Sequence, residues 1–343
     1  MKALVLTAYR RFEYCEVAEP QLAADEVLVR VEACGICGSD VHGMDGSTGR
    51  RIPPIIMGHE AAGVVARVGS AVERWQPGDR VTFDSTLWCG RCHYCLRGQV
   101  NLCERRRVLG VSCAEFRQDG ALAEFVAVPQ HILYRLPDGL SFPCAAMVEP
   151  VSIAVHAVRR SGARLGDSAV VVGAGMIGAL AVQALRAAGC SRVWAVEVDA
   201  GRRELAVRLG ADEAFSPDQT DVLSEIRRRT EGRGADLAIE AVGIPATVSA
   251  AIAVVRKGGA VALVGNVSPQ VELPLQTAVT RELSLYGSCA SSGEYPLCLE
   301  LMARGAIRVE PLISAVVPLA EAATWFHRLY ERQAGLMKVI VRP

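Results

Sequence analysis

The chain has no excess of charge of either sign. Its 343 residues include 37 Lys and Arg residues and 37 Asp and Glu residues, so the formal net charge at pH 7 is zero. Proteins that bind nucleic acid or an anionic membrane surface through their charge carry an excess of basic residues. The composition therefore gives no support to a nucleic-acid or a membrane partner.

Long hydrophobic runs are also missing. No apolar stretch reaches the ~18–20 residues that a helix needs to span a bilayer. The apolar stretch at residues 1–7 is too short for a signal peptide and continues into strand-like sequence. Internal repeats, low-complexity segments and long linkers are absent as well. The sequence predicts a soluble, cytoplasmic protein.

The chain is long for a single hydrophobic core, and two domains are expected. Its 51% hydrophobic and 22% charged residues are typical of a globular protein. Residues 1–150 contain short β-branched runs broken by glycine, as at 27–31 and 61–68, which predict a compact, partly closed barrel. Residues 151–285 alternate strand-like and helix-like segments, which predict an α/β domain with a parallel sheet. The tail at 286–343 is expected to return to the first domain.

Four of the twelve cysteines lie close together in the sequence. Cys89, Cys92, Cys95 and Cys103 have the spacing C-x2-C-x2-C-x7-C. Four thiolates on such tight turns can complete the tetrahedral coordination of one zinc ion, which leaves no open position for a substrate. An iron–sulfur cluster also takes four cysteines, but its bacterial spacing ends in x3-C-P, which does not occur here. The spacing therefore predicts a structural zinc site.

A second group of residues has the ligand types of a catalytic metal site. Cys37, His59 and a carboxylate can hold zinc with one position open for water or substrate. Either Glu60, beside His59, or Glu149, in a largely apolar stretch, can supply the carboxylate, or the two can alternate. Asp40 is suited to accept a hydrogen bond from the ring of His59 and so to fix its tautomer.

Two further polar side chains follow Cys37 closely. A hydroxyl beside the metal, that of Ser39, can accept a proton from the substrate. The imidazole of His42, nearer to solvent, can carry that proton away. The alternatives are a turn hydroxyl bound to local backbone for Ser39 and a surface histidine for His42.

The second domain carries a glycine pattern that is typical of dinucleotide binding. G-x-G-x-x-G is formed by Gly173, Gly175 and Gly178 with Met176 and Ile177 between them, directly after the strand at 169–172. These glycines permit a tight turn and bring a pyrophosphate close to a helix N-terminus.

The next strand ends at a carboxylate. Glu197 lies 19 residues beyond Gly178, where a carboxylate binds the hydroxyls of the adenosine ribose, which favours NAD over NADP. Arg202 is a candidate for contact with the adenine, and Val264 and Gly265, at the end of a later strand, are candidates for contact with the cofactor. Arg203 is the one feature that keeps NADP as an alternative cofactor.

Taken together, these motifs resemble the zinc-dependent medium-chain dehydrogenase/reductase superfamily over essentially the whole chain. The resemblance rests on the Cys37–His42 segment, Gly58-His59-Glu60, the four-cysteine lobe and the glycine fingerprint, in the family's order. It implies a GroES-like β-barrel catalytic domain at 1–150 and 286–343, a Rossmann NAD-binding domain at 151–285, two zinc ions per chain, and a homodimer or homotetramer.

The third zinc-ligand position distinguishes branches of that family. Alcohol dehydrogenases typically carry a cysteine there, whereas Glu149-Pro150 in this chain resembles the polyol and threonine dehydrogenases. That branch binds zinc through Cys37, His59 and either Glu60 or Glu149. The expected activity is NAD-dependent interconversion of a secondary alcohol of a polyol and its ketone. An L-threonine 3-dehydrogenase, a simple alcohol dehydrogenase and a non-catalytic NAD(P)-binding relative remain as alternatives.

Overall fold

The computed structural model describes all 343 residues, which fold into twenty strands and ten helices in addition to short 3-10 turns. The first 145 residues contain β1 (Lys2–Ala8), β2 (Arg11–Glu16), β3 (Glu26–Gly35), α1 (Gly38–Gly43), β4 (Ile55–Ile56), β5 (Glu60–Val68), β6 (Arg80–Phe83), β7 (Thr86–Leu87), β8 (Arg107–Val108), β9 (Val111–Ser112), β10 (Arg117–Gln118), β11 (Phe125–Pro129), β12 (Leu133–Arg135) and α2 (Phe142–Ala145).

The remaining elements are α3 (Val148–Ser161), β13 (Ser168–Val172), α4 (Met176–Ala187), β14 (Arg192–Val196), α5 (Ala200–Arg208), β15 (Glu213–Phe215), α6 (Val222–Arg229), β16 (Ala235–Glu240), α7 (Pro245–Val254), β17 (Val255–Leu263), α8 (Leu275–Thr280), β18 (Ser284–Gly287), α9 (Tyr295–Ala303), β19 (Ile313–Pro318), α10 (Ala322–Tyr330) and β20 (Lys338–Arg342). None of the helices combines the length and the apolar character that crossing a bilayer requires.

The chain divides into two compact units. The first comprises Met1–Glu149, Tyr295–Ala303 and Val309–Pro343. Its main sheet has seven strands in the order β12-β6-β5-β3-β20-β19, with β11 also paired to β3. A smaller sheet, β2-β1-β4, and the hairpins β7–β8 and β9–β10 complete the β-structure. Side chains from both larger sheets form one hydrophobic core, because their apolar residues face the same interior.

The central strand of this unit determines where the site forms. β3 pairs antiparallel with β5, and in this register Gly35 lies opposite Glu60. β20 pairs with the same end of β3, with Ile340 opposite Gly35. The C-terminal end of β3, the start of β5 and the start of β20 therefore meet at one edge of the sheet.

The second unit comprises Pro150–Glu294 and Arg304–Arg308. Its six-stranded sheet has the order β15-β14-β13-β16-β17-β18, and every neighbouring pair is parallel. The chain starts in the middle, runs to one edge, returns and runs to the other edge. This is the doubly wound arrangement of Rossmann domains, in which ligands bind at the carboxyl ends of the strands near the reversal of strand order.

Element boundaries differ from the sequence expectation at two places. The strand expected to end with Val264 and Gly265 runs from Val255 to Leu263 and ends before them, because the amides of Val264 and Gly265 both donate to the carbonyl of Glu240. The second unit also continues beyond 285 as far as Glu294. It does so because β18 extends the parallel sheet and the carboxylate of Glu294 contacts His156 of α3 at 3.0 Å.

Candidate active site

The pairing of β3 with β5 brings together residues that lie far apart in sequence. Cys37 follows β3 by two residues, and His59 directly precedes β5. The ligand atoms of Cys37, His59 and Glu60 lie within 4.8 Å of one another. A thiolate, an imidazole and a carboxylate at such distances suit a zinc ion with an open coordination position.

Gly58 is required by the tight turn that delivers His59. Its φ of +95° lies in a region that other residues rarely adopt. A Cβ atom at this position would also lie 2.8 Å from Sγ of Cys34 and 2.9 Å from Cγ of Leu122. The turn therefore depends on glycine both for its backbone conformation and for its close packing.

The ring of His59 is oriented by a buried carboxylate. Oδ2 of Asp40 lies 3.3 Å from Nδ1 of His59, which leaves Nε2 for a metal. Burial lowers the pKa of His59, but the negative charges of Asp40 and Cys37 outweigh it and raise the pKa well above the ordinary value in the metal-free protein. A metal ion at Nε2 would replace that proton, so the site is built to hold positive charge.

A buried arginine holds Asp40 in turn. Nε and Nη2 of Arg51 donate to Oδ1 of Asp40 at 2.9 and 2.6 Å, and both side chains are at least 96% buried. Burial would raise the pKa of Asp40, but the His59 ring and the Arg51 guanidinium outweigh it and hold the pKa well below its usual range. Asp40 therefore stays ionised beside His59.

The candidate proton acceptor lies against the thiolate. Oγ of Ser39 lies 3.3 Å from Sγ of Cys37, and Nη2 of Arg51 is 3.4 Å from the same hydroxyl. His42 is exposed on α1, three residues after Ser39. Residues three apart share one face of a helix, so the hydroxyl and the imidazole lie on the same face of α1.

Glu60 is paired with a lysine of the last strand. Nζ of Lys338 donates to both carboxylate oxygens of Glu60, at 2.9 and 2.6 Å, and to the carbonyl of Ile36 at 3.1 Å. The side chains of Lys338 and Glu60 are 3% and 1% exposed. Because a buried charge without a partner is costly, this pair fixes Glu60 at the edge of the cluster.

Glu149 lies in the first turn of α3, and the charges of Glu60, His59 and Lys338 affect the pKa of its carboxyl. Burial and the charge of Glu60 raise the pKa of its carboxyl, His59 and Lys338 lower it, and the resulting pKa is about 7. Its ligand atoms are not within the compact set of Cys37, His59 and Glu60. Glu149 is thus a neighbouring carboxyl whose proton is exchangeable near neutral pH.

The four-cysteine lobe forms a second, separate ligand set. The sulfur atoms of Cys89, Cys92, Cys95 and Cys103 lie within 4.8 Å of one another. Backbone amides of Cys95 and Glu104 lower the pKa of Cys92 to about 6, whereas burial raises the pKa of Cys95 to about 12. Four converging sulfurs fit a closed zinc site.

The glycine fingerprint lies between β13 and α4, at the reversal of strand order. A Cβ atom at Gly178 would lie 1.7 Å from the carbonyl oxygen of Gly173, so the helix can pack this closely only with glycine. A Cβ atom at Gly175 would meet only Nη1 of Arg202, at 3.9 Å. The space above Gly175 is therefore open, and a guanidinium borders it, as a pyrophosphate site requires.

Glu197 supports this loop directly. Its two carboxylate oxygens accept hydrogen bonds from the amides of Ala174, at 2.9 Å, and Asp199, at 3.1 Å. The guanidinium of Arg203 donates to the carbonyls of Glu197 and Val198. Arg203 is thus engaged by backbone, and Glu197 is held at the end of β14, where the sequence places a ribose-binding carboxylate.

Comparison with known proteins agrees with this architecture. The profile of the alcohol dehydrogenase GroES-like domain matches residues 23–138, and that of the zinc-binding dehydrogenase domain matches residues 177–304. Sorbitol dehydrogenase of Bacillus subtilis strain 168 is 34% identical over 348 residues, covering 100% of this chain and 97% of the relative. The chain belongs to the zinc-dependent medium-chain dehydrogenases, in the polyol dehydrogenase branch.

Two further proteins are similar to this dehydrogenase over almost its whole length. D-xylulose reductase A of Aspergillus oryzae is 37% identical over 336 residues, covering 95% of this chain and 93% of the relative. A solved structure from Sinorhizobium meliloti 1021, described as a zinc-binding dehydrogenase and bound to NADP, has a TM-score of 0.92. It is 34% identical and covers 100% of this chain and 99% of its own.

Two charged residues of the site in this polyol-branch dehydrogenase lie outside the sequence motifs. Arg51 is 4% exposed and bound to Asp40, and no local sequence signal indicates this. Lys338 begins a strand of apolar residues, and a lysine in such a strand must have a carboxylate partner. That signal could have led from Lys338 to Glu60.

Proposed function

We propose that the chain oxidises a secondary alcohol of a polyol with NAD, at a zinc ion held by Cys37, His59 and Glu60. The observation that carries this proposal is the convergence of these three ligand types within 4.8 Å, beside the hydroxyl of Ser39. When bound, zinc supplies a Lewis acid that lowers the pKa of a substrate hydroxyl, and the dinucleotide accepts a hydride.

The chain's own residues move the proton. The hydroxyl of Ser39 lies next to the thiolate ligand and can take the proton of the substrate hydroxyl. His42, one helical turn farther along α1 and exposed, passes it to solvent. Asp40 and Arg51 hold the ring of His59, and Arg51 also donates to the hydroxyl of Ser39, which keeps this hydroxyl next to the thiolate.

Glu60 is our choice for the third ligand, and Glu149 for the alternate one. Glu60 belongs to the compact ligand set, whereas Glu149 lies outside it with a pKa of about 7. We expect Glu60→Gln to lower the affinity for the catalytic zinc more than Glu149→Gln, because only Glu60 is placed to bind directly. Zinc competition titrations on both variants test the choice, and the opposite order would assign the ligand to Glu149.

NAD is the proposed cofactor. Glu197 is held at the end of β14 by two backbone amides, and a 2′-phosphate approaching it would be repelled. Arg203 is engaged by backbone carbonyls, which weakens the case for NADP. Equal kcat/KM values with NAD and NADP would contradict this choice.

A homo-oligomer and a cytoplasmic location complete the proposal. β18 is the last strand of its sheet, and Val267, Leu275 and Val279 nearby are each more than 60% exposed, which is unusual for aliphatic side chains. The thiolates at both metal sites must stay reduced to bind zinc, as they do in the cytoplasm.

The test is NADH production with a panel of sugar alcohols, L-threonine and short alcohols, with the zinc content measured on the same sample. We expect turnover of a polyol and about two zinc ions per chain. Cys37→Ser should abolish turnover and remove one zinc ion, whereas Cys190→Ser, at a buried cysteine of the second unit, should leave both unchanged. Turnover retained in Cys37→Ser would contradict the proposed site.

A further inference from the structure

A cavity of about 830 Å³ in the first unit is lined by none of the ligands of the catalytic cluster. Its walls are the hairpin of β7 and β8, the start of the four-cysteine lobe and the segment 113–116. The side chains that matter most for ligand binding are those of Arg50, Trp88, Arg91, Arg105, Arg107 and Phe116.

The lining of this cavity is strongly basic. Five arginines contribute to it, against the two carboxylates of Glu104 and Glu115. Arg50, Arg91, Arg105 and Arg107 are exposed, and of their guanidinium groups that of Arg50 lies close enough to Glu115 to help lower the pKa of its carboxyl. Arg51, by contrast, is buried and committed to Asp40. The exposed guanidinium groups of the cavity are therefore available to a ligand.

The negative charge of the neighbouring structural zinc site is compensated in part by backbone amides and not only by arginine side chains. A zinc ion with four thiolates carries two negative charges, which nearby donors must stabilise. Backbone amides provide part of this stabilisation, because those of Cys89 and Arg105 donate to Sγ of Cys103 at 3.3 and 3.4 Å. The guanidinium groups of Arg50, Arg91, Arg105 and Arg107 face solvent.

The chemistry of the lining selects a ligand with an anionic end and a carbon body. The planar fork of arginine matches phosphate oxygens in a bidentate manner, and several arginines together favour a dianion over a single carboxylate. Trp88 and Phe116 are half-buried and offer apolar faces to C–H groups. We propose that this cavity binds the phosphate group of a phosphomonoester with a polyol-sized carbon skeleton.

Two consecutive residues connect the cavity with the catalytic cluster. Arg50 lines the cavity, while the next residue, Arg51, contacts Ser39 and Asp40. The phosphate can thus belong to the substrate itself, which would make the substrate a sugar-alcohol phosphate, or to a separate phosphorylated metabolite. The first case, a phosphorylated substrate, rests on the proposed dehydrogenase function. The binding of a phosphate group in the cavity does not depend on that function.

Binding is tested first, on the zinc-loaded full chain without dinucleotide. Calorimetric titrations with inorganic phosphate, sorbitol 6-phosphate and sorbitol should show the phosphorylated polyol binding at least about tenfold more tightly than sorbitol. Arg107→Gln and Arg50→Gln should each remove most of this difference, and Arg74→Gln, at an exposed arginine outside the cavity, should not. Equal affinities for the two polyols, or equal losses in all three variants, would overturn the proposal.

Kinetics then identify the source of the phosphate. If the phosphate belongs to the substrate, kcat/KM for the phosphorylated polyol exceeds that for the free polyol, and the ratio falls by about tenfold in Arg107→Gln. If sorbitol 6-phosphate binds in an Arg107-dependent manner without being oxidised, the site serves a separate metabolite. Absence of NADH from every polyol, with binding intact, would instead refute the dehydrogenase function alone.

Discussion

At the scale of single residues, the catalytic cluster is organised by charge balance. Cys37, Asp40, Glu60 and Glu149 supply up to four negative charges in a buried setting, and Arg51 and Lys338 supply two positive ones. A divalent cation brings the cluster close to neutrality. The metal-free protein therefore holds excess negative charge, which raises the pKa of His59 against the effect of burial, whereas burial is the main cause of the raised pKa of Glu149.

The Lys338–Glu60 pair gives a direct test of this balance. In metal-free protein, Lys338→Met should lower the free energy of unfolding by about 3–5 kcal/mol, because it leaves the Glu60 carboxylate buried without a cation. Adding Glu60→Gln should recover much of that loss. Denaturant midpoints of the wild type, both single variants and the double variant measure the effect. A double variant no more stable than Lys338→Met would show that charge is not the cause.

Glu149 makes the effect of zinc depend on pH. Its folded-state pKa of about 7 lies above the unfolded value of about 4.3, so the metal-free fold loses stability as pH rises between these values. Zinc should compensate for this loss, and the thermal stabilisation by zinc should therefore be larger at pH 8 than at pH 6. Glu149→Gln removes the titrating group and should reduce this pH dependence. An unchanged dependence in that variant would exclude Glu149 as its source.

At the scale of elements, the four-cysteine lobe depends on its metal. Residues 89–103 contain only two short 3-10 turns, with no strand or long helix to hold them. Cys103→Ser should lower the zinc content from two ions to one and allow trypsin to cleave after Arg91 and Arg97, because four-thiolate sites stabilise such lobes outright and an unfolded lobe fits a protease. Cys15→Ser, on β2, should keep both ions. A lobe that resists trypsin after losing its zinc would contradict this account.

The strands and helices that carry the site could be predicted from local patterns. The glycine fingerprint follows a buried β-branched strand, and the two cysteine groups have characteristic spacing, so the corresponding elements fall within a residue or two of expectation. Strand register could not be predicted, because the opposition of Gly35 and Glu60 depends on contacts between distant segments. Arg51 lies outside every motif and could not be predicted for the same reason, whereas the lysine among the apolar residues of β20 indicates a buried carboxylate partner for Lys338.

At the scale of the whole molecule, we expect self-association through surfaces that the fold leaves uncovered. β18 is paired only with β17, so one row of its backbone donors and acceptors is open to another chain. Leu275 and Val279 lie on α8, the helix just before β18, and are 63% and 65% exposed. An edge strand beside exposed aliphatic side chains is a surface that a second copy can cover.

Charge placed in this patch should therefore separate the subunits. We expect the wild type to sediment as an oligomer and the double variant Leu275→Glu/Val279→Glu to sediment at the 36.6 kDa of one chain, because burying two carboxylates at an apolar interface is costly. Leu165→Glu is the matched control, since Leu165 is 88% exposed in a turn outside the patch. Analytical ultracentrifugation over a range of concentrations makes the measurement. A double variant that remains associated would place the interface elsewhere, and a monomeric wild type would refute self-association itself.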